Sequence, residues 1–216
     1  MWYPGEQGGT ALAEILFGVA NPSGHLPATL EKSWQDNPTH ANYDPETGTV
    51  RVSYKEGIFV GYRGYEHNNV KPQFPFGFGL SYSTFKFANL SVVPAESPAM
   101  APSGRPALYT LTFDVTNTGS RAGSEVAQVY VGEAKPSVPR PAKELKGFSR
   151  VELAAGETKH VTISLDARAF AFYDVAGKHW QADAGNFSIL VGDSSADTPL
   201  TANVSLPKAI SIGTRE

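Results

Sequence analysis

Residues 108–117 read LYTLTFDVTN. In an extended chain Tyr109, Leu111, Phe113 and Val115 fall on one side, and Thr110, Thr112, Asp114 and Thr116 on the other. That period of two is the pattern of a strand with one buried face. The same alternation recurs downstream. In KHVTISLD (159–166), Val161, Ile163 and Leu165 alternate with His160, Thr162 and Ser164. In NFSILVG (186–192), Phe187, Ile189 and Val191 share a face. FANLSVV (87–93), EVAQVYV (125–131) and ELKGFSRVEL (144–153) are further strand candidates, and AFAFYDVAGKHWQAD (169–183) reads as two short strands around a turn at Gly177. NTGS and AAGE supply turns between runs. The Pro-, Ala- and Ser-rich segment 94–106 reads as a long loop after the first strand.

About seven short strands in this region predict an antiparallel β-sandwich of immunoglobulin or fibronectin III type. The chain has no cysteine, which favours the fibronectin-like version.

Residues 1–85 have a different texture, rich in Gly, Pro and aromatics. One helix is expected over TALAEILFG, with Thr10 as N-cap and Gly18 as the C′ stop. Ala11, Leu12, Ala13, Ile15, Leu16 and Phe17 make it apolar on nearly every side, the character of a buried helix. The next 65 residues supply no obvious partner for it; they read as turns and short strands, including GTVRVSY (48–54) and GIFVGYRGY (57–65). The opening MWYPGEQGGT resembles the middle of a domain more than a polar terminus, so Met1 reads as an internal methionine or a cut boundary. The expected fold class is mixed: a partial α/β unit over 1–85, then an antiparallel β-sandwich over 86–216.

Composition narrows the function. Of 216 residues 41% are hydrophobic and 18% charged, with a formal net charge of -3, which suits a packed globular chain. No Lys/Arg cluster marks a nucleic-acid surface. No apolar run approaches the roughly 20 residues that span a bilayer. Neither nucleic acid nor membrane is therefore expected as a partner. No secretory leader is visible, and at a cut edge that says nothing about export.

Candidate chemistry is sparse. PGEQGGT leads into a helix, but it lacks the Gly-Lys-Ser/Thr ending of a phosphate loop, and Glu6 places negative charge there. His25, His40, His67, His160 and His179 show no metal-ligand spacing. No nucleophile elbow is present. Glu56, between aromatics in YKEGIFVGYRGY, is the most interesting carboxylate, with an ion pair to Lys55 or Arg63 as its plain explanation. Trp2, Tyr3, Trp34, Tyr54, Tyr62, Tyr65 and Trp180 could stack on sugars, although large aromatics more often pack a core. No catalytic, cofactor-binding or metal-binding residue is assigned, and the substrate-binding residues stay unknown.

WYPGEQGGTALAEILFGVANPSGHLPATL (2–30), YKEGIFVGYRGY (54–65) and FPFGFGLSYSTF (74–85) resemble signature stretches of glycoside hydrolase family 3, the β-glucosidases and β-xylosidases. RPAKELKGFSRVELAAGET (140–158) is similar to the fibronectin III-like domain of many members. The four stretches run in the family's order through essentially the whole chain. The resemblance implies a retaining glycosidase of three domains: a TIM-like barrel with the nucleophilic aspartate, an α/β sandwich with the acid/base glutamate, then the fibronectin-like domain. Residues 1–85 would be the last part of the α/β sandwich domain, downstream of the acid/base region, and 86–216 the complete fibronectin-like domain. Glu6 and Glu56 lie in matching motifs but inherit neither catalytic role.

The chain is thus expected to be inactive alone. Its expected partners are the missing barrel and α/β sandwich regions of the same enzyme, or a self-associated copy, with a carbohydrate as substrate of the whole. By family analogy the compartment is periplasmic or secreted. The alternatives are a non-catalytic carbohydrate-binding or protein-interaction β-sandwich module, and a stand-alone protein with an unrelated enzymatic role.

Overall fold

The computed structural model describes residues 2–213, so Met1 lies outside the described residues. Ten strands account for most of the described residues after residue 84. They are β1 (Phe85–Pro94), β2 (Ala107–Asn117), β3 (Gly123–Glu133), β4 (Glu144–Leu153), β5 (Thr158–Asp166), β6 (Phe172–Asp174), β7 (His179–Ala182), β8 (Gly185–Gly192), β9 (Leu200–Leu206) and β10 (Ile210–Ile212). Every pairing is antiparallel. One sheet has the order β1-β2-β5 and the other β4-β3-β8-β9, and a small third sheet is ordered β10-β7-β6.

The two larger sheets form the expected sandwich. Alternation puts Leu111, Phe113 and Val115 of β2 and Val161, Ile163 and Leu165 of β5 inside. The facing layer comes from Val129 and Val131 of β3 and Phe187, Ile189 and Val191 of β8. Phe170 closes one end, edge-to-face with Phe187 at 5.2 Å between ring centroids. Burying one Leu- or Phe-sized side chain contributes roughly 1.5–3 kcal/mol, so this layer carries the stability of the fold. β6 and β7 flank the turn at Gly177, as the sequence predicts. β9 and β10 add strands that the alternation does not single out.

Residues 2–85 differ from their expected structure in three places. α1 spans Gly8–Leu16 with Gln7 at its N-cap, so Thr10 lies inside the first turn and caps nothing. Its C-terminus follows the sequence: Gly18 has φ 72°, its N–H bonds to Ile15 O, and Val19 N–H bonds to Glu14 O, the paired bonds of a Schellman ending. GTVRVSY forms no strand. GIFVGYRGY is not a strand either; its second half is the helix α2 (Tyr62–His67). The alternating Ile58 and Val60 suggest extension, but Gly61 at φ 55° turns the chain, and its carbonyl receives the N–H groups of Gly64 and Tyr65. The segment's only β pairings among the described residues are isolated bridges at His25–Gly79 and Leu30–Phe74.

Candidate functional site

α1 stands at the edge of the molecule, held by its C-terminal end. Tyr82 Oη donates to Ile15 O at 2.7 Å. Arg121, from the β2–β3 turn, donates to Gly18 O and lies over the Tyr82 ring at 5.5 Å. Asn21 Nδ2 donates to Ala122 O at 2.9 Å, and its Oδ1 accepts from Tyr82 N and Ser81 Oγ. These polar ties fix the helix end without covering its sides. Leu16 is 68% exposed and Phe17 85%, with Leu12 and Val19 also exposed. Trp2, 67% exposed, and Tyr3 lie just before the helix. The helix that its composition marks as buried is therefore uncovered in this chain, because no second layer of residues 2–85 packs on it. Several large apolar side chains are thus left exposed on and beside one helix, a grouping that scattered surface hydrophobics do not show.

A second, polar set of contacts joins the preceding segment to the sandwich. His25 Nε2 donates to Glu125 Oε1 on β3 at 2.8 Å, and His25 Nδ1 faces Ser23 O at 3.1 Å. Glu125 Oε1 also accepts from Val126 N, so both ring nitrogens face acceptor oxygens, an arrangement that favours the imidazolium. The hydrogen bond to Glu125 raises the His25 pKa, and burial opposes it. Gln128 Nε2 donates to the carbonyls of Gly77 and Asp193, while Gln128 Oε1 accepts from Tyr130 Oη at 2.6 Å. Ser195 N donates to Phe76 O at 2.9 Å.

α2 docks beside this. Tyr62 meets Tyr130 edge-to-face at 5.9 Å, and its hydroxyl accepts from Leu145 N at 2.9 Å. Glu66 pairs with Lys143. Arg63 reaches Glu144 at 3.2 Å, and Arg140 bridges Glu133 and Glu144, each at 2.7 Å. Burial pushes Glu133 up despite Arg140. Burial pushes Glu144 the same way, but Lys146, Arg140 and Arg63 together hold it below the usual carboxylate range. The carboxylates at this junction are tied up in structural pairs, which fixes one segment on the other.

The sequence candidates are scattered. Glu6 is exposed beside α1. Glu56 accepts from Asn42 Nδ2 at 2.5 Å rather than pairing with Lys55 or Arg63, and Arg63 is turned to Glu144. His67 stacks on Phe59, His40 packs against Trp34, His160 meets Asp114 at 2.8 Å and His179 meets Gln181 at 3.3 Å. No group of three His, Cys, Asp or Glu residues that could hold a metal occurs among the described residues. Of the aromatics, Tyr65 is buried, whereas Trp2, Tyr3, Trp34 and Tyr54 are exposed. Sequence reasoning missed the junction because its partners lie far apart, 100 residues for His25–Glu125 and 77 for Glu66–Lys143.

Two stretches of the chain match known domain families. Residues 1–82 match the glycosyl hydrolase family 3 C-terminal domain, and residues 125–195 match the fibronectin type III-like domain. Thermostable β-glucosidase B of Acetivibrio thermocellus is 43% identical over 211 residues, covering 98% of this chain and 27% of the relative. A putative β-glucosidase of Schizosaccharomyces pombe is 40% identical, with 97% and 24% covered. A β-glucosidase of Streptomyces venezuelae solved with D-glucose superposes with a TM-score of 0.85 at 38% identity, covering 95% of this chain and 25% of that one. The chain spans about a quarter of the length of the curated relatives it matches.

Proposed function

We propose that the chain belongs to glycosyl hydrolase family 3, whose C-terminal domain residues 1–82 match, and that it is the C-terminal portion of a β-glucosidase-type enzyme that hydrolyses terminal β-linked sugars with retention. In this reading residues 1–85 complete an α/β sandwich domain begun elsewhere in the enzyme, and residues 86–216 form its fibronectin-like domain. The nucleophile and the acid/base residue belong to the rest of the enzyme, so the chain alone carries no turnover. The observation that supports this most directly is the uncovered face of α1. Leu12, Leu16, Phe17 and Val19, with Trp2 and Tyr3 nearby, are placed to pack under the remainder of an α/β layer.

The test uses aryl β-glucoside and β-xyloside substrates. The purified chain is expected to show no turnover above a buffer blank. Mixing or co-expression with the barrel and upstream sandwich of a close relative is expected to give a soluble complex with activity. Turnover that co-purifies with the chain alone would sink the reading.

A further inference from the structure

On the open side of the sandwich, the edge strands β4 and β5 belong to different sheets and flank a groove of about 820 Å³. Its apolar walls include Leu145, Ile163 and Leu165, and its charged lining is Arg105, Lys146, Arg168 and Asp166. These charges do not cancel. Asp166 is already occupied: its Oδ2 accepts from Ser103 Oγ at 2.5 Å and its Oδ1 from Ala169 N at 3.2 Å. Lys146 reaches Glu144 at 3.4 Å, but that carboxylate also serves Arg140 and Arg63.

Neither Arg105 nor Arg168 forms an ion pair among the described residues. Arg105 Nε is buried without a hydrogen-bond partner, a condition that native proteins rarely leave unfilled. The Arg168 guanidinium lies 3.5 Å from the Trp180 ring centroid, a contact that holds the group without consuming an N–H donor. Burial, then the charge of Arg105, lowers the Arg168 pKa, while Asp166 opposes them; the two cations feel each other. Phe148 lines the groove from β4 and is 70% exposed, and Ser149, Thr162 and Ser164 also line it.

We propose that this groove is an ancillary site for a saccharide bearing a carboxylate, with Arg105 and Arg168 binding the carboxylate and Phe148 packing against a C–H face of the ring. Two guanidiniums suit a planar carboxylate, and an exposed aromatic beside hydroxyl groups suits a sugar ring. The carboxylate follows from the arginines alone; the choice of a sugar as its carrier rests on the glycosidase reading.

The test is titration of the full chain with glucuronate, glucose and inorganic phosphate, followed by calorimetry and by the amide spectrum of β4 and β5. Saturable glucuronate binding is expected, weakened by salt, with neither glucose nor phosphate matching it. Arg105→Gln and Arg168→Gln should each weaken binding about tenfold, the loss of one charge-assisted hydrogen bond. Phe148→Ala removes only an exposed side chain and should weaken binding several-fold in a protein that still folds. No saturable glucuronate binding, phosphate binding as tightly as glucuronate, or affinity unchanged in the folded variants would each overturn the proposal. Because binding is read without turnover, its failure leaves the glycosidase reading standing, and failure of the activity test leaves the carboxylate site standing.

Discussion

The sandwich and the segment before it are built from similar residues and end in opposite states. In β2, β3, β5 and β8 the inward-facing apolar side chains, Leu111, Phe113, Val115, Val129, Val131, Val161, Ile163, Leu165, Phe187, Ile189 and Val191, are buried, and Leu108, Tyr109, Val126 and Leu190 are half-buried. In residues 2–85, Tyr65, 3% exposed, is the single large apolar side chain that is buried, while Trp2, Leu16, Phe17, Tyr54 and Leu80 face outward. The difference is not hydrophobicity. Each larger sheet finds its second layer within the chain, whereas α1 and the loops around it do not. An apolar face without a second layer is a fitting surface, not a core.

Limited proteolysis of the dilute monomer should separate the two regions most clearly. Residues 86–216 are expected to survive as a folded fragment while residues 1–85 are removed, since the sandwich has its own core. Equal resistance of both parts would show that the first segment is as well packed as the second.

Within the sandwich, Phe113→Ala should cost about 3–5 kcal/mol, the usual loss for a buried aromatic, read as a lowered urea midpoint. A loss under about 1 kcal/mol would mean that the core is not where stability resides.

The junction gives an intermediate effect with a definite sign. His25 is bound as an imidazolium by Glu125 and Ser23 O, and its pKa lies above the ordinary 6.5. Its contribution is complete below pH 6.5 and is lost as the pH rises through the raised folded value. Asp193 also faces this site, and burial raises its pKa from the ordinary 3.8. Hydrogen exchange of residues 20–30 and 74–82 should therefore be faster at about pH 9 than at about pH 6, beyond the intrinsic rate change. His25→Gln should abolish that difference; an unchanged difference would show that the His25–Glu125 contact does not hold the junction.

The smallest effect is expected at the open face. Leu16→Ser should change the stability of the isolated chain by no more than about 0.5 kcal/mol, as for other exposed sites. If the chain is the C-terminal portion we propose, the same change should weaken its assembly with the barrel and upstream sandwich of a relative. A large loss of stability in the monomer would mean that Leu16 is packed after all.

Much of this could be read along the chain. Alternation in 108–117, 159–166 and 186–192 gives the strands, their buried faces and the sandwich, because a period of two is set by local backbone geometry. Gly18 marks the end of α1, and the all-round apolar surface of that helix implies a partner that the described residues 2–85 do not supply. Local pattern failed where backbone punctuation overrode propensity: at Gly61, which turns an Ile/Val-rich run into α2, and at Gln7, which starts α1 three residues before the expected cap at Thr10. The strands and the need for another layer both follow from side-chain chemistry repeated at a fixed spacing. Folding in three dimensions is what brings Glu56 to Asn42, turns Arg63 to Glu144, closes His25 on Glu125 across 100 residues, and lines one groove with Arg105 and Arg168. Those are pairings between distant segments, and distance along the chain carries no local signal of closeness in space.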